Sequence, residues 1–168
     1  MHNKSFQTTI YDDLNRTTPI GLCRYACEFL EAALAADGKM GHRDGFEIVA
    51  PIPVLFLVGQ SIELVLKAFL LSRGVPLRKL RYDYGHNLHR SLRKAKELGL
   101  PTLVELAPDE LSTIEVLDGL YSTKQLQYIV TGAKTFPMFG PLQRAALRLV
   151  HAVGNDVGFP PRHLPNVL

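Results

Sequence analysis

Residues 52–74 read IPVLFLVGQSIELVLKAFLLSRG. Nearly every position is apolar, and a helix that is apolar all round has to be surrounded by other elements. This one stretch therefore predicts a buried central helix with amphipathic helices laid around it. Gly74 and Pro76 follow in the order that ends a helix. A membrane-spanning reading is set aside, because Gln60, Ser61, Glu63 and Lys67 interrupt the stretch and no run of about 18 apolar residues occurs.

The flanking segments supply the surrounding helices. Upstream, TTPIGLCRYACEFLEAALAA (17–36) offers Thr18 as N-cap and Pro19 at the first helical position, where a missing N–H costs nothing. Leu22, Ala26, Phe29, Leu30, Ala33 and Leu34 recur at the helical period, and the glycine-rich DGKMGHRDG (37–45) reads as a loop. Downstream, NLHRSLRKAKELG (87–99) buries Leu88, Leu92 and Ala95 and leaves Arg90, Arg93, Lys94 and Lys96 outside. APDELSTIEVLDGLYSTK (107–124) starts with Pro108, Asp109 and Glu110, favourable to a helix dipole. QLQYIVTGAKTF (125–136) alternates over 127–131, which suits a short extended piece. GPLQRAALRLVHAVGND (140–156) is again amphipathic.

These segments predict an all-α bundle of four to five helices, with one short extended segment near 127–131. At 168 residues the chain has room for one domain. Residues 18–154 form that domain, 1–17 read as a loosely ordered N-terminal segment, and 155–168 as a proline-rich irregular tail.

Charge is unevenly placed. The net charge is only +3, yet eight of the 19 Lys and Arg lie between Arg73 and Lys96, opposed there by Asp83 alone. From Glu97 to Thr123 there are six acids and no Lys or Arg. Such a division suits an anionic ligand or self-association, in which the acidic helix of one molecule meets the basic helix of another. Cys23 and Cys27 read as small buried hydrophobes of a reduced protein, and no ligand spacing completes a metal site around them. The N-terminus has neither the basic start nor the apolar core of a secretory signal, so a cytoplasmic location is expected. Phosphate-loop, dinucleotide, serine-hydrolase and zinc-protease motifs are missing, and no cofactor is implied.

Two polar groups call for explanation. Gln60, Glu63 and Lys67 make one stripe on the apolar helix, with Glu63 and Lys67 in the favourable i, i+4 order. The stripe reads either as a paired structural element or as the lining of a cleft or dimer seam. The second group is Arg81 and His86 in RYDYGHNLHRSL (81–92). A histidine can move a proton from a ribose 2′-OH near neutral pH, and an arginine can hold the phosphate. Arg90 and Arg93 lie close by in sequence, as added anion contacts.

IELVLKAFLLSRG followed by GHNLHRSLRKAKELG resembles the HEPN superfamily of small prokaryotic helical domains. Its members often carry Glu, three residues and Lys-Ala on a core helix, then Gly-His-x-Leu at the next helix start. Glu63, Lys67, Ala68, Gly85, His86 and Leu88 match, and LDGLYSTKQLQYIVTG is similar to the later half of such proteins. The resemblance spans residues 52–154. It implies a homodimer across the core helices, with RNA, a nucleotide, or a partner protein such as a nucleotidyltransferase or antitoxin as the other component. Many members are metal-independent ribonucleases of toxin or defence systems, using Arg, four to six residues, then His. Arg81 and His86 would be that pair. Here Tyr82 stands where active members usually carry Asn, Asp or His, and the pair falls midway along the bundle rather than in a late helix. The expectation is therefore a dimeric binding or interaction module, with Gln60, Glu63, Lys67, Arg90 and Arg93 as its ligand-binding or polar cluster. Ribonuclease activity through Arg81 and His86 is the alternative.

Overall fold

The computed structural model describes residue 13 and residues 15–166. The expected loose segment at 1–17 falls mostly outside the described residues. Within them the chain is all helical. Helix α1 spans Pro19–Met40, α2 Ile52–Ser72, α3 the single turn Leu77–Lys79, α4 Leu88–Glu97, α5 Pro108–Tyr121 and α6 Phe139–Val157. A π-turn at Leu80–Tyr84 continues α3, and a 3₁₀ turn at Leu100–Thr102 follows α4.

Helix α2 is the centre, as its composition demands. It contacts α1, α4, α5 and α6, and Val54, Leu55, Val58, Ile62, Val65, Leu66, Phe69 and Leu70 are fully buried. By length and apolar composition α2 could cross a membrane, polar residues notwithstanding, but 67% of its most apolar stretch is buried against the other helices. Ser61, also fully buried, gives its hydroxyl proton to the carbonyl of Ala26 at 2.7 Å and so ties α2 to α1. A buried hydroxyl without such a partner would cost about 1–3 kcal/mol.

Thr18 caps α1 as its position suggests, its hydroxyl accepting from the Gly21 N–H at 3.0 Å. The helix then runs through Asp37–Met40, where glycines and charge suggest a loop. The Asp37 carbonyl accepts from the Gly41 N–H, adding a further turn before the chain leaves. Cys23 lies fully buried on this helix, and the Cys27 thiol beside it is partly covered. Their mutual hydrogen bond, reinforced by burial, pushes the Cys23 thiol well up, and the same bond lowers the Cys27 thiol.

The alternation at 127–131 does not become a strand. After α5 the chain turns at Lys124, whose carbonyl accepts from the N–H groups of Gln127 and Tyr128. Tyr128, Ile129 and Val130 then run exposed with no neighbouring strand among the described residues. Alternation needs a ladder partner to become a strand, and an all-helical bundle offers none.

Helix α6 runs on through 155–157, and the described residues after it, 158–166, are irregular yet attached. Phe159 donates its N–H to Gly154 at 2.7 Å, Leu164 is buried, and His151 Nε2 lies 3.0 Å from the Pro165 carbonyl. A Cβ on Gly154 would come within 2.6 Å of the Phe159 carbonyl, so only glycine allows this close return.

Candidate functional site

Glu63 is the polar centre of the molecule. It projects from α2 with 5% exposure, and a carboxylate so placed is costly unless several donors answer it. Three side chains do. Lys67, one turn on, brings Nζ to 2.5 Å of Oε1. His86 brings Nδ1 to 2.9 Å of Oε2. Tyr121, at the end of α5, donates its hydroxyl to Oε2 at 2.7 Å. The stripe on the apolar helix is thus a hub joining α2, the turn before α4, and α5.

Each partner arrives for a local reason. Gly85 has φ +50° and ψ −123°, a conformation that L side chains rarely adopt, and this reversal turns His86 back toward α2. Asn87 and Asp118 then start α4. Asn87 Oδ1 accepts from the Arg90 N–H at 2.6 Å, and Asp118 Oδ1 accepts from the Leu88 N–H at 2.7 Å. Burial raises the Asp118 carboxyl above its usual range, against the lowering effect of the Leu88 and His89 N–H groups.

Tyr121 reaches Glu63 because α2 is bare at Gly59. A Cβ there would stand 2.5 Å from the Tyr121 ring, so the ring lies directly on the α2 backbone. Burial, together with the neighbouring Glu63 carboxylate, drives the phenol pKa far upward, which keeps the proton in place as a donor. The phenol oxygen also touches the Gln60 side-chain amide. A phenol has one proton to give. Gln60 Oε1 faces the phenol, so Gln60 and Glu63 share the approach to its one proton.

The Glu63 bond fixes the state of His86. An ionised carboxylate only accepts, so Nδ1 carries a proton, and Nε2 is the imidazole's remaining functional atom. The His86 side chain is 54% exposed. It lines a cleft of about 400 Å³ with Thr17, Leu22, Leu64, Lys67, Leu77, Leu80, Arg81 and Gly85. Lys67, Arg81 and His86 thus share one cleft, as the spacing of the Arg–His pair and the stripe allow. The Arg81 guanidinium also lies 5.2 Å from the centre of the Tyr82 ring.

Two of the expected residues go elsewhere. Arg90 donates to the Asp83 carbonyl at 2.6 Å and braces the π-turn from outside. Arg93 lines a separate cleft of about 220 Å³ with His89, Leu92, Lys96, Leu111, Ile114 and Glu115. The cleft that Lys67 lines is formed by α1, α2, α3 and the π-turn and the one that Arg93 lines by α4 and α5, so the expected cluster of Gln60, Glu63, Lys67, Arg90 and Arg93 does not hold together. Among the described residues no group of three His, Cys, Asp or Glu side chains is placed to hold a metal ion.

Tyr121 and Asp118 are the site residues that sequence reasoning misses. Tyr121 sits in phase with Ile114 and Leu117 and reads as a core aromatic; the one signal for it is Gly59, an unfilled place opposite. The acidic helix also finds partners within the chain. Glu110, at 1% exposure, takes Arg148 of α6 at 2.5 Å and the Ala107 N–H at 2.7 Å, and Asp109 takes Arg144 at 2.5 Å. Comparison of this chain with family models, with curated proteins and with solved structures found no match.

Proposed function

We propose that the chain is a HEPN-like binding module, working as a homodimer, whose Lys67–Arg81–His86 cleft takes a small anionic ligand. The observation that carries this reading is the convergence of these three basic side chains on one cleft, two of which, Lys67 and His86, together with Tyr121 also hold the buried Glu63. Lys67 answers the Glu63 carboxylate, and Arg81 lines the same cleft. The basic stretch from Arg73 to Lys96 surrounds it and raises the local concentration of anions. The HEPN-like order of Glu63, Lys67, Gly85 and His86 supports the same reading.

Titration with inorganic phosphate and with adenosine monophosphate, followed by calorimetry, tests it. Saturable binding that weakens on adding salt and falls at least about tenfold in Arg81→Ala supports the reading, a loss of one charge-assisted contact being about 1.4 kcal/mol or more. Absence of binding by every anion overturns it.

One observation favours a second reading. Glu63 orients His86 by its Nδ1 and leaves Nε2 for a proton transfer beside Arg81, the arrangement a metal-independent ribonuclease uses. Cleavage of a labelled RNA pool in EDTA by wild type, lost in folded His86→Ala and Arg81→Ala, would establish it. Identical traces from wild type and both variants would leave the binding module alone.

A further inference from the structure

The two cysteines of α1 stand one turn apart and meet different surroundings. Cys23 is fully buried, its Sγ 3.4 Å from the place a Cβ on Gly154 would take, so it lies against α6 where the chain returns through Phe159. Cys27 is half-buried and lines a cleft of about 420 Å³ between α1 and the residues that follow α6. Phe159, Pro161 and Leu164 give this cleft an apolar wall, and Arg24, Glu31 and Arg162 are among its charged residues. It has the size of a small-molecule site and shares no lining residue with the cleft at Lys67, Arg81 and His86.

A cysteine attacks as its thiolate, so the hydrogen between the two sulfurs decides what the pair can do. Cys23 gives its S–H to the Cys27 sulfur. That bond lowers the Cys27 thiol, against the opposing effects of burial and of the Glu28 and Glu31 carboxylates. The same bond raises the Cys23 thiol, and burial raises it further. The nucleophilic sulfur is thus the one on the cleft, and the buried one keeps its proton. The cleft also offers both signs of charge. Arg24 is paired with Glu28 at 3.4 Å, while Glu31 and Arg162 are exposed and form no ion pair among the described residues. Arg162 can therefore answer a carboxylate and Glu31 an ammonium.

We propose that the Cys23–Cys27 pair makes the α1–tail cleft a site of thiol–disulfide exchange, taking a small disulfide whose halves carry both carboxylate and ammonium groups. The Cys27 thiolate attacks one sulfur of the disulfide. A new S–S bond to Cys27 forms as the old S–S bond breaks, and the departing thiolate takes a proton from water. The incoming disulfide is itself the oxidant. Cys23, protonated and out of solvent, does not displace the bound half, so the mixed disulfide accumulates.

Intact-mass spectrometry of the full chain treated with glutathione disulfide, and separately with the uncharged 2-hydroxyethyl disulfide, tests the inference. Wild type is expected to gain one glutathionyl group, mapped to Cys27 by digestion and removed by dithiothreitol, and Cys27→Ser is expected to gain none. Cys23→Ala removes the hydrogen-bond donor and is expected to slow both reagents at neutral pH by at least about threefold. Arg162→Ala is expected to slow glutathione disulfide by about threefold relative to 2-hydroxyethyl disulfide, the loss of one exposed charge contact. Label on Cys23, a closed Cys23–Cys27 disulfide in place of the adduct, or no adduct on the folded chain while the same chain reacts in urea would each overturn the site. An Arg162→Ala variant that slows both reagents equally, or neither, would overturn the charged class of disulfide.

Discussion

Among single residues, Glu63 is the one whose burial most needs its partners. A buried carboxylate facing Lys67, His86 and Tyr121 is tolerable, and each donor removed exposes part of its desolvation cost. Tyr121→Phe takes away the phenol proton while keeping the ring on Gly59. It is expected to lower unfolding stability by about 1–3 kcal/mol, read from urea denaturation. Asp118 gives a pH test. Its carboxyl is raised in the folded protein, so the folded state holds the proton more tightly than the unfolded chain. The resulting stability is fully present below the unfolded value of about 3.9 and is lost as pH rises through the folded one. Asp118→Asn keeps an acceptor for the Leu88 N–H and does not titrate. The stability of wild type relative to this variant should therefore fall as pH rises through that window, measured by urea midpoints; a difference that stays level or grows would refute the burial argument.

At the scale of elements, glycine positions separate close helix contact from mere flexibility. Gly59→Ala drives a methyl group into the Tyr121 ring, 2.5 Å away, and overpacking of this kind costs about 1–3 kcal/mol. Gly119 lies in α5 with nothing within 4 Å of its Cβ position. Gly119→Ala is expected to stabilise by about 0.4–1 kcal/mol through the entropy of the unfolded chain. Thermal midpoints of the two variants should thus move in opposite directions. This contrast also shows why parts of the site were legible in the sequence and others were not. Glu63 and Lys67 lie on one helix, where i, i+4 spacing alone brings them together. The turn of His86 toward α2 could be anticipated from Gly85 and the His-x-Leu start of α4. Tyr121 depends on how α5 crosses α2, a register set by many long-range packings, and the separation of Arg93 from Lys67 depends on the same thing. The alternating residues 127–131 failed as a strand because alternation is a local property and pairing is not.

At the scale of the whole molecule, two charged centres tie the bundle together at different places. Glu63 joins α2 to the start of α4 and the end of α5, and Glu110 joins the start of α5 to α6 through Arg148 and Arg144. Arg148 also donates to the Glu105 carbonyl at 2.7 Å, so it holds both the helix and the chain leading into it. Arg148→Ala leaves Glu110 buried with the Ala107 N–H and a more distant Arg144. It is expected to cost about 3 kcal/mol, the lower end of the range for breaking a buried pair, because Arg148 itself is a third exposed. That loss should appear in urea denaturation while anion binding at the Lys67–Arg81–His86 cleft is kept, since the two centres share no side chain. The all-α architecture was readable from one apolar stretch with amphipathic neighbours. The Glu110–Arg148 centre was not, because its residues lie 38 apart and meet only once α5 and α6 are packed.

Glu63 holds the His86 imidazole by Nδ1 and leaves Nε2 on the side of the cleft. The most direct measurement is a long-range proton–nitrogen NMR spectrum of the histidine side chains, recorded at a pH where the imidazole is neutral. His86 is expected to carry its proton on Nδ1, the less common form for an unconstrained histidine, and its ring signals are expected to shift when an anion is added. A His86 protonated on Nε2, with no response to any anion, would contradict both the hydrogen bond to Glu63 and the function proposed for the cleft.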